Sequence, residues 1–318
     1  MDRSSIIVKG ARLVQHLPLF LLRPVEWPLV RLAGHKRKKP SLIILLALPR
    51  SGSTLTYQIL SHGLKSVYLS NLGNLLYQLP YLGGLLSSHY CANSESTFRS
   101  SQGFVRGLCG PAEGLRFWQY WFANGIDERL HRERDTAHMR RRANYLRKAI
   151  IALGSEERPV VTGYLGHPLR LEQLQSTFPE AVFIRLHRDP LHNAISLLRC
   201  RQKSDAEWFS VYPVECERHA DESVHGQVAA QVYWLNSRLS ELKGERVIHI
   251  SYEDLCRNPA GSLQSIVTFC NALGMRLEHG QALPKSFDMG GLDENSREDV
   301  NIIREHLGKL ESQYGHLK

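Results

Sequence analysis

The run from Ser41 to Leu48 is almost wholly apolar, eight residues with no polar alternation. Such a run suits a strand buried on both faces of a parallel sheet. Shorter runs of the same kind recur at Val160–Thr162, Ala181–Leu186 and Val247–Ile250. Between them the period changes. Leu55, Tyr57, Ile59 and Leu60 mark a helix over STLTYQILSHG. Ala143, Leu146, Ile150 and Leu153 mark a second, with Asp135 as its N-cap, and QVAAQVYWLNSRLSELKG reads as a third, ended by Gly244. Strands alternating with helices predict an α/β fold: a central parallel sheet flanked by helices, in a P-loop-like arrangement of three layers. No repeat, low-complexity stretch or interdomain linker interrupts the pattern. Residues 41–318 are therefore expected to form one domain, with residues 1–40 packing on it.

That N-terminal segment is apolar, but LVQHLPLFLLRPVEWPLVRLAG carries Arg23, Glu26, Arg31 and three prolines. It is too interrupted for a spanning helix and lacks a signal-peptide cleavage pattern. A short basic run, HKRKKP, follows it. The plain reading is a packed segment with a solvated charge cluster. The sharper reading is a foothold on a membrane surface.

The chemistry gathers where the strands end. LPRSGSTL, Leu48 to Leu55, joins the first strand to the first helix. Pro49 cannot donate to a sheet ladder, and Gly52 permits a tight turn. The amides of Ser51, Gly52, Ser53 and Thr54 would then face an anion at a helix N-terminus. The stretch Ala47–Thr54 nearly fits the phosphate-loop pattern, with Ala47 in place of the first Gly and Ser53 in place of the Lys. Arg50 supplies the cation instead. The missing Lys weakens an ordinary nucleotide triphosphatase reading, and the competing explanation is a strand–helix turn with hydroxyl caps.

AVFIRLHRDPLHNAISLL repeats the logic. Asp189 and Pro190 make a helix start, N-cap and first turn, with Arg188 just before it. Ser196 lies about two turns further on. Arg188 and Ser196 together suit a second phosphate, against a reading as a cap plus a surface Arg. RSSQGFVRGLCGPAEG is the longest turn-rich stretch and suits a substrate-facing loop. The helix bearing Arg140, Arg141, Arg142, Arg147 and Lys148 reads as a solvated face; without interleaved aromatics it does not imply nucleic acid.

The formal net charge of +9 over 318 residues favours acidic partners: phosphorylated cofactors, anionic polymers or membrane surfaces. Cys91, Cys109, Cys200, Cys216, Cys256 and Cys270 form no C-x-x-C pair and no zinc spacing. Free thiols in a reducing compartment are expected, and no metal site.

LPRSGSTL and FIRLHRDPLHNAIS, with VIHISYEDLCRNPAGSLQSIVTFCNALG after them, together resemble the PAPS-dependent sulfotransferase family. GPAEGLRFWQYW and FPEAVFIRLHRDP look most like its bacterial, carbohydrate-type members. The resemblance runs from about Leu42 to Gly274. It implies that Arg50, Ser51, Gly52, Ser53 and Thr54 hold the 5′-phosphosulfate of PAPS as co-substrate. Arg188 and Ser196 would hold the 3′-phosphate, and Tyr252 would lie near the adenine. Arg50 would stand beside the bridging oxygen, and no metal is implied. A general base is expected before the second motif, at His167, with Glu113 as the second candidate. The implied reaction moves a sulfuryl group to a hydroxyl, or as second choice an amine, of a carbohydrate or glycolipid. The alternatives are a nucleotide-dependent kinase and a non-catalytic nucleotide- or anion-binding shell. A cytoplasmic location is expected, with membrane association through the N-terminal segment as its extension.

Overall fold

The computed structural model describes residues 3–16, 19–35, 41–101, 103–122, 137–203, 208–290 and 297–316. The chain opens with helices α1 (Arg3–Gln15) and α2 (Leu19–His35) and then enters strand β1 (Leu42–Leu46). Helix α3 (Ser53–Gly63) leads to β2 (Val67–Tyr68), followed by α4 (Asn71–Leu75), α5 (Pro80–Tyr90), α6 (Leu115–Phe122) and α7 (Ala137–Leu153). Strand β3 (Val160–Gly163), α8 (Leu171–Thr177), β4 (Val182–His187) and α9 (Pro190–Arg201) come next. Helix α10 (Val224–Ser240), β5 (Val247–Ser251), α11 (Tyr252–Arg257), α12 (Pro259–Ala272) and α13 (Arg297–Tyr314) complete it.

The sheet has five strands in the order β2-β3-β1-β4-β5, every pair parallel. β1 lies at its centre, which explains its unbroken apolar sequence. Leu42, Ile44 and Leu46 face one core, with residues of α6, α7, α9, α10 and α13. Ile43 and Leu45 face the other, with Tyr57, Ile59 and Leu60 of α3 and Leu263, Ile266 and Val267 of α12. Alternate residues of one strand thus feed two apolar layers, and the expected three-layer α/β fold is what forms.

The connections set the site. From β1 the chain crosses to β2 and β3 on one side, then to β4 and β5 on the other. The carboxyl ends of β1 and β4 therefore flank a switch point, the usual ligand crevice of an open parallel sheet. Both Arg-bearing loops leave from those two ends.

Two sequence expectations change, and a third is not addressed. α10 ends at Ser240 rather than at Gly244, which sits at φ 133° in the turn before β5. Asp135, expected to cap α7, lies outside the described residues. Cys91 and Cys109 form a disulfide, which corrects the free-thiol expectation for that pair; Cys200, Cys216, Cys256 and Cys270 are free thiols. A disulfide belongs to an oxidising environment. Among the described residues no helix is long and apolar enough to cross a membrane.

Candidate functional site

β1 ends in a turn that bends back on itself. Ser51 N and Ser51 Oγ both donate to Leu48 O, at 3.2 and 2.7 Å. Arg50 stands at φ 63° and Gly52 at φ 95°. A left-handed non-glycine residue costs about 1–2 kcal/mol, so something must hold Arg50 there. The β4–α9 loop does: Arg188 Nη1 donates to Arg50 O at 2.6 Å, and Asn193 Nδ2 donates to Pro49 O at 2.8 Å. Thr56 N bonds Gly52 O at 3.0 Å, closing the first turn of α3. The amides of Ser53, Thr54 and Leu55 precede that bond, so the helix offers them outward.

Gly52 is required for a second reason. A Cβ there would lie 2.1 Å from the ring of Tyr252, the first residue of α11. Tyr252 in turn lies under the Arg188 guanidinium, 4.8 Å from ring centroid to Cζ. β1, β4 and β5 thus each send one piece of their exit loops to the same place.

These pieces line a cavity of about 360 Å³, with Arg50, Ser53, Thr54, Glu113, Arg188 and Tyr252 on its walls. Nε of Arg50 and Nε of Arg188 are buried without a hydrogen-bond partner. Burial, aided by the Arg50 charge and opposed by Tyr252, Glu253 and Cys256, pulls the Arg188 pKa below its ordinary value. Two orphaned guanidinium donors beside a helix N-terminus make a site suited to phosphate. The residues present fit an anionic co-substrate such as PAPS.

Glu113 enters from the loop preceding α6. Burial raises its pKa from 4.5 to about 7. It shares its wall with Gly103, whose carbonyl accepts from Thr54 Oγ1 at 3.3 Å.

His167 is placed elsewhere. Leu165 reaches the cavity, but two residues later the chain has turned into the short 3₁₀ helix His167–Arg170. His167 is 2% exposed, edge-on to Trp118 at 4.4 Å and to Tyr164 at 5.4 Å. Burial, aided by Arg170, lowers its pKa to about 3. The imidazole is neutral and faces the core. Ser51 is buried with its hydroxyl turned to Leu48, and only its backbone serves the loop. Ser196 stands half-buried on α9, outside the cavity lining.

The sequence did not single out Asn193, Phe209 or Ser210. Asn193 had a usable signal, one turn into the helix that Asp189 starts. Phe209 and Ser210 line the cavity from an irregular segment, where Ser210 sits at φ 65°. Gln231 of α10 holds that segment by donating to Phe209 O and Val211 O at 2.8 and 2.7 Å. Among the described residues no cluster of His, Cys, Asp or Glu is placed to hold a metal ion.

A parallel sheet whose central strand exits into a tight Gly-containing turn and a helix, faced by an Arg from the neighbouring strand, defines an α/β protein of the P-loop-like kind. A model of the sulfotransferase family matches residues 40–273, and the chain belongs to that family. Among solved structures it is similar to sulfotransferase STF9 from Mycobacterium avium, at 16% identity and a TM-score of 0.48, covering 95% of this chain and 76% of that one. It is also similar to sulfotransferase STF1 from Mycobacterium tuberculosis H37Rv, at 15% identity and TM-score 0.47, covering 89% and 82%. The sulfotransferase domain of the Synechococcus PCC 7002 olefin synthase matches at 18% identity and TM-score 0.39, over 85% and 96%. No curated protein matches the chain.

Proposed function

We propose that the protein transfers a sulfuryl group from PAPS to a hydroxyl of an acceptor, with a carbohydrate or glycolipid as the acceptor class and an amine as second choice. The observation that carries this reading is the cavity itself: two arginines whose Nε donors lack a partner and a free helix N-terminus on one wall, and a carboxyl with its pKa raised to about 7 on another. The acceptor class rests on the family resemblance of GPAEGLRFWQYW and FPEAVFIRLHRDP.

Arg50 and the amides of Gly52, Ser53 and Thr54 take the 5′-phosphosulfate end. Sulfuryl transfer, like phosphoryl transfer, is chiefly positioning and charge neutralisation. Arg50 therefore faces the bridging oxygen, where negative charge grows as the sulfur–oxygen bond breaks. Arg188 takes the 3′-phosphate, with Ser196 further along the same helix, and Tyr252 offers its ring to the adenine. Glu113 accepts the proton of the acceptor hydroxyl as its oxygen attacks sulfur. A carboxylate is a stronger base when its pKa approaches the working pH, which burial has arranged here. His167 is set aside as the base because it does not reach the cavity and its imidazole makes no contact there.

Calorimetric titration with 3′-phosphoadenosine-5′-phosphate and with its analogue lacking the 3′-phosphate tests the donor half. Arg188→Ala should weaken binding of the first by about 1.5–3 kcal/mol, the worth of a charge-assisted contact. It should weaken the second less, through loosening of the Arg50 turn alone. Equal loss for both would remove Arg188 from the 3′-phosphate. A PAPS-consumption assay with a mixed panel of sugar acceptors separates turnover from a non-catalytic shell. Tight binding of ATP with Mg²⁺ in preference to PAPS would instead support a kinase.

A further inference from the structure

We propose that α2 is a docking face for an anionic lipid bilayer, lying in the plane of the membrane surface. α2 packs on the protein through Leu22, Glu26, Val30 and Ala33. The adjoining face carries Leu21, Val25, Leu29 and Leu32, spaced four, four and three residues apart, which is one stripe of a helix. These four are 51, 60, 41 and 65% exposed. A surface helix ordinarily turns polar residues outward; this one turns a continuous apolar row outward. Single exposed apolar side chains are ordinary, but an aligned stripe marks an interaction surface.

The charges around the stripe choose its partner. Glu26, the helix's one acid, is turned inward. Its carboxylate accepts Tyr81 N and Leu82 N at 2.8 Å each and Tyr145 Oη at 2.7 Å, and only 1% of the residue is exposed. The outer face is thereby left without negative charge. Beside the stripe, exposed Trp27 lies 5.5 Å from the Arg31 guanidinium. Trp and Arg side by side suit the headgroup level, one ring in the apolar boundary and one cation at the phosphates. α5, whose N-terminus sits on Glu26, adds the exposed Leu85 and Leu86. In sequence α2 runs straight into Lys36, Arg37, Lys38 and Lys39. An apolar row with Arg31 beside it, followed in sequence by four cations, is complementary to an interface of acidic lipids. At 17 residues, with Pro24 and Pro28 inside it, α2 suits lying on a bilayer rather than crossing one. The inference stands independently of the sulfuryl-transfer reading.

The full chain should co-sediment with vesicles of phosphatidylcholine mixed with phosphatidylglycerol, and at least about tenfold more weakly with phosphatidylcholine alone. The Val25→Glu/Leu32→Glu double variant should lose about tenfold or more of that binding, since two charges would have to enter the interface. Its melting temperature, and the rise that 3′-phosphoadenosine-5′-phosphate gives it, should match wild type. Trp27 emission supplies a readout on the wild-type fold: it should shift to shorter wavelength on acidic vesicles, and Trp27→Phe should abolish the shift. Absence of wild-type binding to acidic vesicles overturns the proposal, as does undiminished binding by the double variant. A wild-type dimer that the double variant converts to monomer also overturns it, because a second copy of the chain would then cover the stripe.

Discussion

At the scale of single residues, Gly52 and Glu113 make the sharpest demands. Gly52→Ala must place a Cβ at φ 95° and drive it into the Tyr252 ring. The backbone alone costs about 1–2 kcal/mol, and the ring must move as well. Urea denaturation should show the combined loss. Pairing Gly52→Ala with Tyr252→Ala should recover the clash part, so the two changes should add to less than their sum. Strict additivity would mean the ring does not press on the loop. Glu113 gives a pH dependence. Its folded pKa of about 7 lies above its ordinary 4.5. The protonated form is therefore favoured in the folded protein. That contribution to stability is complete below about pH 4.5 and is lost as the pH rises through about 7. A carboxylate in the proposed role of base, by contrast, acts only when ionised. Turnover should climb with pH through about 7 while stability falls over the same interval. Glu113→Gln should flatten both curves, cut kcat by roughly 10²–10⁴-fold, and be more stable than wild type at pH 8. An unchanged rate profile in that variant would exclude Glu113 as the base.

At the scale of elements, α9 illustrates how a short helix start serves the site. Asp189 accepts His192 N at 2.8 Å, and its own amide donates to Glu253 Oε1 at 3.1 Å. Asp189→Ala should cost about 1 kcal/mol of stability as a lost N-cap, measured by thermal or urea unfolding. Activity should stay within a few-fold of wild type and be indifferent to chelators. A far larger, Mg²⁺-dependent loss would recast Asp189 as a metal ligand. The cap was legible in the sequence because Asp-Pro after a buried strand has one common structural meaning. Four of the five strands were legible for a similar reason, as apolar runs: β1, β3 and β4 are buried on both faces, and the edge strand β5 is partly covered. β2 was not: it is two residues long at the edge of the sheet, too short to leave a pattern. The turn after β1 could be read because Pro49, Gly52 and the start of α3 fix where its amides point. The direction of His167 was not legible, because strand-exit position says nothing of side-chain direction. A 3₁₀ turn and the ring of Trp118, 49 positions earlier in the chain, settle that direction toward the core. The Cys91–Cys109 pair carried no motif, and only the folding of the segment after α5 brings the two together.

At the scale of the whole molecule, the two walls of the cavity have different foundations. The wall that carries Arg50 and Arg188, proposed to take the donor, rests on the ends of β1, β4 and β5, which are fixed by the sheet. The Glu113 wall rests on the long segment between α5 and α6, which has no ladder to hold it. Its restraints are instead isolated bonds, such as Leu72 N to Leu108 O at 2.9 Å and Ala112 N to Leu69 O at 2.8 Å along the backbone, with Asn71 Nδ2 to Val105 O and Gly107 O at 2.8 and 2.7 Å and Tyr68 Oη to Cys109 O at 2.9 Å from side chains. The disulfide is its one covalent restraint, joining the C-cap residue of α5 to a turn four residues before Glu113. Its 18-residue separation corresponds to about 3 kcal/mol in the chain-entropy account. The Cys91→Ser/Cys109→Ser variant should therefore unfold at lower urea by that order. Its affinity for 3′-phosphoadenosine-5′-phosphate should hold within a few-fold, because the sheet-end loops are untouched. Its kcat should fall further, because the carboxyl is no longer held over the acceptor. Reduction of the wild type should reproduce both effects, and reoxidation should reverse them. A loss of nucleotide affinity equal to the loss of turnover would show that the bridged segment supports the donor instead, and would join the two walls into one unit.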